Sequence, residues 1–424
     1  MASKNFVEME TQVMKHYPRC TAQMLLDLHH EVLGVSAKTD ELAQLTKECF
    51  FYSQIREIVE GYYDLGTLVD AYQIFGGYIN TTFGIYTEKD GEKETWLFRK
   101  YKRGKEVESL LFEHKLLLHA RKNGFSFGAI PIKAKNGKTY HVEKQIMPEG
   151  EEDFYFAVFN YIGGSNKYDW IPNWADDGIA DTTILSAAIS MAQFHNSTKN
   201  FDPEGRHGDN IMDNEDITVN DIIKKFPQTL KNYRKSYADT GYENAYTEYF
   251  DANYNFMSRM CAASVIPDED YVKMISVPCH CDFHPGNFKY TEDGTVCGSF
   301  DYDMAKIDSR LFEIGLAMHY CFASWKSETN GSIRLERVKK FIDTYNTELS
   351  KMGGLAPMNG TEKKYLYEVI VQGALYVIGW CSVACVYNPT LNPYEYLFYT
   401  QHLIACLHWL EDHESEIREL SKRL

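Results

Sequence analysis

The chain has 424 residues, and its 44 lysines and arginines against 60 aspartates and glutamates give a formal charge of −16, which argues against a protein that neutralises nucleic-acid phosphates. Its 44% hydrophobic and 25% charged residues are the balance of a globular chain with a sizeable core, and its 28 glycines and 12 prolines fall without period, so collagen-like, linker and low-complexity readings are excluded. The ten cysteines follow no paired extracellular spacing and the first residues lack a basic start and apolar stretch, so we read reduced thiols in a cytoplasmic protein.

Residues 1–70 read as a helical extension, with Met24, Leu25 and Leu28 and then Leu42 and Leu45 at helical spacing. From Ala71 the texture changes to short β-like runs, with a polar turn at Lys89-Asp90-Gly91 and a second strand through Trp96 to Tyr101. A helix from Lys105 to Asn123 closes on Gly124. Strands resume with Ala129–Lys135, a turn at Asn136-Gly137, a run from Lys138 to Ile146, and Phe154–Ile162. Beyond Gly163-Gly164 the long segments read as helix, and the Tyr-rich, charged stretch from about Ile217 to Ile266 taken alone suits a solvated face. Val369–Tyr387 is long and apolar enough to cross a bilayer, but it is the single such run and carries Gly373 and Gly379, so it reads as a buried helix and no membrane partner is expected. The order is α+β: a small β-rich lobe with one helix over residues 71–164, then a large helical lobe over 165–424, with a cleft between lobes.

The strongest chemical signal is His280-Cys281-Asp282-Phe283-His284-Pro285-Gly286-Asn287, followed by a β-like run that delivers Asp301. Phosphoryl transfer needs a carboxylate beside the acceptor hydroxyl and hard oxygen ligands for Mg²⁺, and Asp282, Asn287 and Asp301 supply them. A zinc reading of Cys279, Cys281 and His284 would put a soft site where hard ligands are required. Cys381 and Cys385, on an apolar helix, read as core.

The H-x-D-x-x-x-x-N phrase, a strand and an aspartate resemble the aminoglycoside phosphotransferase and choline kinase family, which has a bilobal protein-kinase-like fold, over roughly Ala71 to Ser324. The family phrase is His-Gly-Asp-Phe-His-Pro-Gly-Asn, and this chain departs from it mainly by Cys281 in place of glycine. The resemblance implies that Asp282 orients or deprotonates the acceptor hydroxyl and that Asn287 and Asp301 coordinate Mg²⁺. It makes His280 a loop organiser and sets Asp308 where a family aspartate supports the loop, while Asp303 reads equally as a further metal or water-mediated contact and as a solvated or substrate-facing carboxylate.

Gly76-Gly77 with Asn80, Thr81 and Thr82 is where the ATP phosphates would meet backbone N–H groups, and it is similar to the loop of the homoserine kinase and N-acetylhexosamine kinase branches. Arg99 aligns with the family's phosphate-binding lysine, with Lys100 on the opposite face as its reserve, and Glu113 matches the partnering helix glutamate. Asn160, Tyr161 and Ile162 fall on the family's hinge, where backbone groups meet adenine, and His195 ends a helix as a structural residue.

The resulting expectation is an ATP- and Mg-dependent small-molecule kinase. Its partners would be a nucleoside triphosphate and a small hydroxyl acceptor: an amino alcohol, hydroxy amino acid, sugar or aminoglycoside-like molecule. Tyr320, Trp325, Tyr376 and Trp380 are available to stack on a sugar or surround an ammonium. The rivals are a silent nucleotide-binding pseudokinase and a protein kinase, the latter disfavoured by the absence of Ala-Pro-Glu and the short path from Asp301 to the next helix.

Overall fold

The structure is a computed structural model that describes residues 19–21, 52–74, 80–147, 150–166, 179–209, 217–240, 244–387 and 393–424. These form two compact units, one of the described residues up to Leu118 with Ala129–Ile162, the other of His119–Gly128 with Gly163–Leu424.

The first unit contains β1 (Arg19–Thr21), α1 (Tyr52–Tyr62), β2 (Thr67–Ile74), β3 (Thr81–Lys89), β4 (Glu92–Lys100), α2 (Val107–Lys122) as far as Leu118, β5 (His141–Met147) and β6 (Gly150–Asn160). Its six strands make an antiparallel sheet in the order β1-β2-β3-β4-β6-β5. The β3–β4 hairpin turns on Asp90-Gly91, both at positive φ (53° and 84°), as a two-residue turn between twisted strands requires. α2 ends where expected, with Gly124 at φ 97° accepting the left-handed position past the helix.

Two expectations for this unit need correction. The helical extension through residue 70 is not a separate layer in its described part. Tyr52, Ile55, Ile58 and Val59 recur at helical spacing on α1, and that apolar stripe is covered by Leu68, Phe83, Ile85, Phe98, Phe156 and Val158 of the sheet. The sheet itself begins inside the same stretch, since β2 starts at Thr67 and β1 pairs with it. The rest of the extension lies outside the described residues, as do Gly76 and Gly77. The run Ala129–Lys135 makes only an isolated bridge between Pro131 and Phe159, because proline lacks the N–H that a ladder needs.

The second unit runs through α3 (Asp181–Thr198), α4 (Val219–Thr240), α5 (Ala245–Ser264), α6 (Asp268–Tyr271), β7 (Ser276–Cys279), a 3₁₀ turn at Pro285–Asn287, β8 (Phe288–Tyr290), β9 (Val296–Ser299), β10 (Lys306–Ser309) and α7 (Arg310–Phe322). It continues with a 3₁₀ turn at Ser327–Thr329, then α8 (Leu335–Met352), α9 (Gly360–Lys364), α10 (Leu366–Tyr387), α11 (Pro393–Asp412) and α12 (Glu414–Ser421). Two short antiparallel ribbons, β7 with β10 and β8 with β9, interrupt the helices and frame the loop that runs from β7 to β8.

The core of this unit lies on α7 and α10. α7 is buried at every position except Tyr320, and α10 carries an 18-residue window of mean hydropathy 1.4 that is 83% buried inside the unit, as its reading as a core helix expects. The Tyr-rich stretch is not a solvated face: α4 and α5 bury Ile222, Ile223, Phe226, Leu230, Tyr246, Phe250 and Met257, because their apolar residues fall on one stripe. At the C-terminal side Arg310 and Glu362 form a fully buried pair, 2.7 Å apart, and a further guanidinium N–H reaches the Ala356 carbonyl at 2.6 Å.

Glycine sets how closely α7 and α10 approach. A Cβ built on Gly315 would stand 2.6 Å from the Val369 carbonyl oxygen, and one on Gly373 would stand 3.1 Å from Leu316 Cα. Because the obstructing atoms are backbone, the helices must separate to admit a methyl. Gly315→Ala is therefore expected to cost about 1–3 kcal/mol of stability, read as a lowered Tm and denaturation midpoint; an unchanged Tm would contradict this packing account.

Candidate active site

The loop leaves β7 at His280 through a backbone that needs support. Cys281 sits at φ 64°, in the left-handed region that favours glycine, which is the residue the resembling motif has there. The loop is held by one buried carboxylate. Glu313 Oε1 accepts the backbone N–H of His280 at 2.6 Å and of Cys281 at 3.0 Å, and its Oε2 meets His195 Nε2 at 2.5 Å. His195 Nδ1 pairs in turn with the Tyr345 hydroxyl at 2.8 Å. Both His195 and Glu313 have no exposed surface, so this is a pair whose polar atoms are met by protein groups.

The sequence assigned loop support to Asp308, and the structure gives it to Glu313 instead. Asp308 turns toward other elements, accepting from Val219 N at 2.7 Å, Tyr271 Oη at 2.5 Å and Ser309 N at 2.7 Å. A signal for Glu313 exists in the sequence: it is the single acidic residue in the apolar run Leu311–Tyr320, and a charge there must find buried partners.

His280 fastens the loop to the strand exit that carries Asp301. Its Nδ1 accepts from Asp282 N at 3.3 Å, which leaves Nε2 as the N–H that donates to the Phe300 carbonyl at 2.9 Å. Its ring lies 4.3 Å from that of Tyr302. Further on, His284 Nδ1 accepts from Gly286 N at 3.0 Å to cap the 3₁₀ turn, while its Nε2 stands 3.5 Å from Asp282 Oδ2. Asn287 closes the loop on itself, donating from Nδ2 to the Asp282 carbonyl and to Asp282 Oδ2, each at 2.9 Å. The Phe300 N–H meets the Asn287 carbonyl at 3.1 Å, and Asp301 follows at φ 69°. The chain thus brings Asp282 against Asn287 and puts Asp301 one residue from a backbone bond to Asn287. Asp303, expected to face metal, substrate or solvent, is buried, with its carbonyl accepting from Asp209 N at 3.3 Å.

Electrostatics favour an ionised Asp282. Burial would push its carboxyl up, but His284, His280 and the Asn287 amide together bring it below the usual carboxylate range. Burial, with Asp282's negative charge added, raises Tyr320 well above its ordinary value, and burial with the charges of Asp282 and Asp308 does the same for Tyr376, so both phenols stay protonated.

Asp282, Asn287 and Asp301 offer two carboxylates and an amide whose NH₂ already points at Asp282, so the amide oxygen is the atom turned away from it; such hard oxygen donors suit a cation of the Mg²⁺ kind. The neighbouring thiols do not compete, because burial followed by the Glu313 charge raises Cys279 and Cys281 well above the thiol range. His195, Cys279 and Glu313 bring ligand atoms within 4.8 Å of one another, but the Glu313 oxygens there are the ones that hold the loop.

In the first unit, the face alternation of β4 separates the two basic candidates. Arg99 Nη1 lies 3.2 Å from Glu113 Oε1, with Glu113 itself buried, whereas Lys100 turns to the other face, its ammonium over Phe154 and Phe156 at 5.0 and 5.9 Å. In the ladder Thr82 is opposite Arg99 and Thr81 opposite Lys100, and Asn80 Oδ1 accepts from Lys102 N at 3.1 Å. Asn160 N and Oδ1 are both engaged by Ile130, at 3.2 and 2.7 Å, so the expected hinge role cannot use its N–H; Tyr161 and Ile162 follow, half-buried.

This fold and loop define a phosphotransferase. Residues 71–345 match the phosphotransferase enzyme family, and the chain belongs to it as a small-molecule phosphotransferase. No curated protein matches the chain significantly. Among solved structures it is similar to an aminoglycoside phosphotransferase from Alicyclobacillus acidocaldarius, with TM-score 0.54 and 15% identity over 87% of this chain and 96% of that one. A microcompartment-associated aminopropanol kinase gives TM-score 0.52 and 13% identity over 86% of this chain and 98% of its own. An amicoumacin kinase in complex with AMP-PNP, Ca²⁺ and Ami gives TM-score 0.52 and 13% identity over 86% and 96%.

Glu313→Gln tests the loop support. The amide oxygen can still accept both N–H groups, but the charge that strengthens those bonds is gone and an NH₂ replaces the oxygen that faces His195 Nε2, so phosphotransfer is expected to fall about tenfold or more with a lowered Tm. Full activity in the variant would show that the loop holds itself.

Proposed function

We propose that this chain moves the γ-phosphoryl of ATP, with Mg²⁺, to a hydroxyl of a small amine-bearing or sugar-like metabolite. The observation that carries the reading is the Asp282–Asn287 pair, held ionised and fixed on a loop whose backbone is bonded by Glu313. Asp282 takes the acceptor hydroxyl, orients its oxygen and receives its proton as the new O–P bond forms; the bond from the γ-phosphorus to the β-bridging oxygen breaks and ADP leaves. Asn287 and Asp301 would hold the cation, which when bound neutralises charge on the β- and γ-phosphates. Arg99, kept by Glu113, would grip the α- and β-phosphates, with Asn80, Thr81 and Thr82 beside them and Lys100 left out of that role. Tyr161 and Ile162 would supply backbone groups to the adenine edge.

The acceptor class is argued from the surroundings of Asp282. Tyr320 and Tyr376 stand within electrostatic reach of its carboxylate and the His284 ring lies 5.6 Å from that of Tyr320. Protonated phenols beside an ionised carboxylate suit a small polar molecule that carries a hydroxyl and a positive group. Named relatives in fold act on an aminoglycoside and an aminopropanol, which supports an acceptor of that kind here. A silent nucleotide-binding pseudokinase is the second reading, and it is favoured only by thermal stabilisation with ATP and no turnover on any acceptor.

The direct test is Mg²⁺-dependent ATP turnover across a panel of amino alcohols, hydroxy amino acids, sugars and aminoglycosides. Asp282→Ala is expected to lower kcat by about 10²–10⁴ while nucleotide affinity stays, and Asp301→Ala to weaken Mg-nucleotide binding itself. Equal turnover by wild type and Asp282→Ala would remove this mechanism.

The pH dependence has a defined sign. The working form of Asp282 is the carboxylate, and its surroundings lower its pKa, so the acid limb of kcat/KM should lie below the ordinary aspartate value of about 3.9. Activity is lost as pH falls through that limb. Replacing His284 by Gln removes the largest influence opposing burial and should move the limb upward; an unmoved limb would mean that another group titrates.

A further inference from the structure

The buried hydroxyl of Tyr101 has no part in the reading above, yet it lies on the carboxylate that holds Arg99. Tyr101 follows β4, its N–H bonded to the Tyr155 carbonyl at 3.0 Å, so it faces the same side of the strand as Arg99 two positions earlier. Its Oη stands 3.1 Å from Glu113 Oε2, while Arg99 meets the other oxygen of the same carboxylate, Oε1, at 3.2 Å. The same Oη lies 2.9 Å from His114 Nε2, and His114 Nδ1 lies 2.7 Å from Thr139 Oγ1. Tyr101, Glu113 and His114 are all at most 2% exposed.

The proton directions follow from valence. An ionised carboxylate only accepts, so the Tyr101 hydroxyl donates its single proton to Glu113. Its oxygen then accepts from His114 Nε2–H, and Nδ1 of the same ring accepts from the Thr139 hydroxyl. That assignment needs a neutral imidazole. Burial first, then the charges of Arg99 and Lys105, bring His114 down to about 3, so it is neutral near pH 7 with one N–H and one acceptor nitrogen. Donation thus runs one way from Thr139 through His114 and Tyr101 to Glu113, whose other oxygen accepts from Arg99.

We propose that Tyr101 is a positioning residue for nucleotide phosphate: its hydroxyl fixes the rotation of the Glu113 carboxylate, and that carboxylate aims the Arg99 guanidinium. The inference rests on the reading that Arg99 meets the phosphates of a nucleotide. Without the hydroxyl, Oε2 of a buried carboxylate loses its neutral donor and competes with Oε1 for the guanidinium, which turns the fork away from the ligand. His114 and Thr139 act only through Tyr101.

The experiment is calorimetric binding of Mg-ATP, Mg-ADP and adenosine to the full chain, comparing wild type with Tyr101→Phe, Arg99→Met and the double variant. A positioning role predicts about a tenfold rise in Kd for ATP and ADP in Tyr101→Phe, adenosine unchanged within about twofold, and no further loss in the Arg99→Met background. Thr139→Val, at the far end of the chain, should give a smaller loss of about twofold to threefold with the same dependence on phosphate, and it serves if Tyr101→Phe does not fold. Equal loss of ATP and adenosine, or an ATP Kd within about twofold of wild type, overturns the proposal. Failure of the functional reading shows separately: wild type itself would bind adenosine and ATP equally or bind neither, and the inference would fall with it.

Discussion

The Glu313 carboxylate is the constraint on which the geometry of the His280–Asn287 loop depends. A fully buried carboxylate is tolerable only when its oxygens are met by donors, and here the donors are two consecutive backbone N–H groups of the loop and one imidazole. The requirement works in both directions. The charge needs the loop, and the loop cannot shift without stripping the charge of partners. α7, which carries Glu313, is seated by glycine contacts against α10, so the support is rigid for packing reasons that have nothing to do with chemistry.

The first unit repeats the device with different residues. Glu113 is likewise a buried carboxylate on a helix, and its oxygens are divided between a basic side chain and a hydroxyl that is itself held by a histidine. In each unit a histidine links a neutral hydroxyl to the carboxylate, His195 from Tyr345 directly to Glu313 and His114 from Thr139 through Tyr101 to Glu113. Charged groups held in place before any ligand arrives need no reorganisation on binding, so none of the binding energy they provide is consumed by it.

How much of this is legible in the sequence depends on whether a feature is local. The spacing from Asp282 to Asn287, the Asp90-Gly91 turn and the closing Gly124 are local, and each names its structure from neighbours along the chain. That Arg99 and Lys100 face opposite ways follows from the two-residue period of a strand, which is also local, whereas the choice of Arg99 comes from the family resemblance and its pairing with Glu113 from the packed helix. Glu313 against Asp308 is not: both lie near the loop in sequence, and only the pairing of β7 with β10 decides that Asp308 points to Val219 and Tyr271 while Glu313, one helical turn further, reaches His280. α1 is misread for a similar reason, since an amphipathic stripe announces that it will be covered without saying by what.

Cys281 shows how the pieces trade against each other. A side chain at φ 64° costs about 1–2 kcal/mol relative to glycine. The charge-assisted bond from its own N–H to Glu313 is worth about 1.5–3 kcal/mol, and that bond exists only in the backbone conformation that carries the strain. The thiol, meanwhile, is buried, and that burial with the Glu313 charge keeps it protonated, so it fills volume without competing for a cation. A glycine at this position would relieve the dihedral but leave that buried volume empty. The departure from the family phrase therefore changes what packs under the loop and leaves intact what the loop presents.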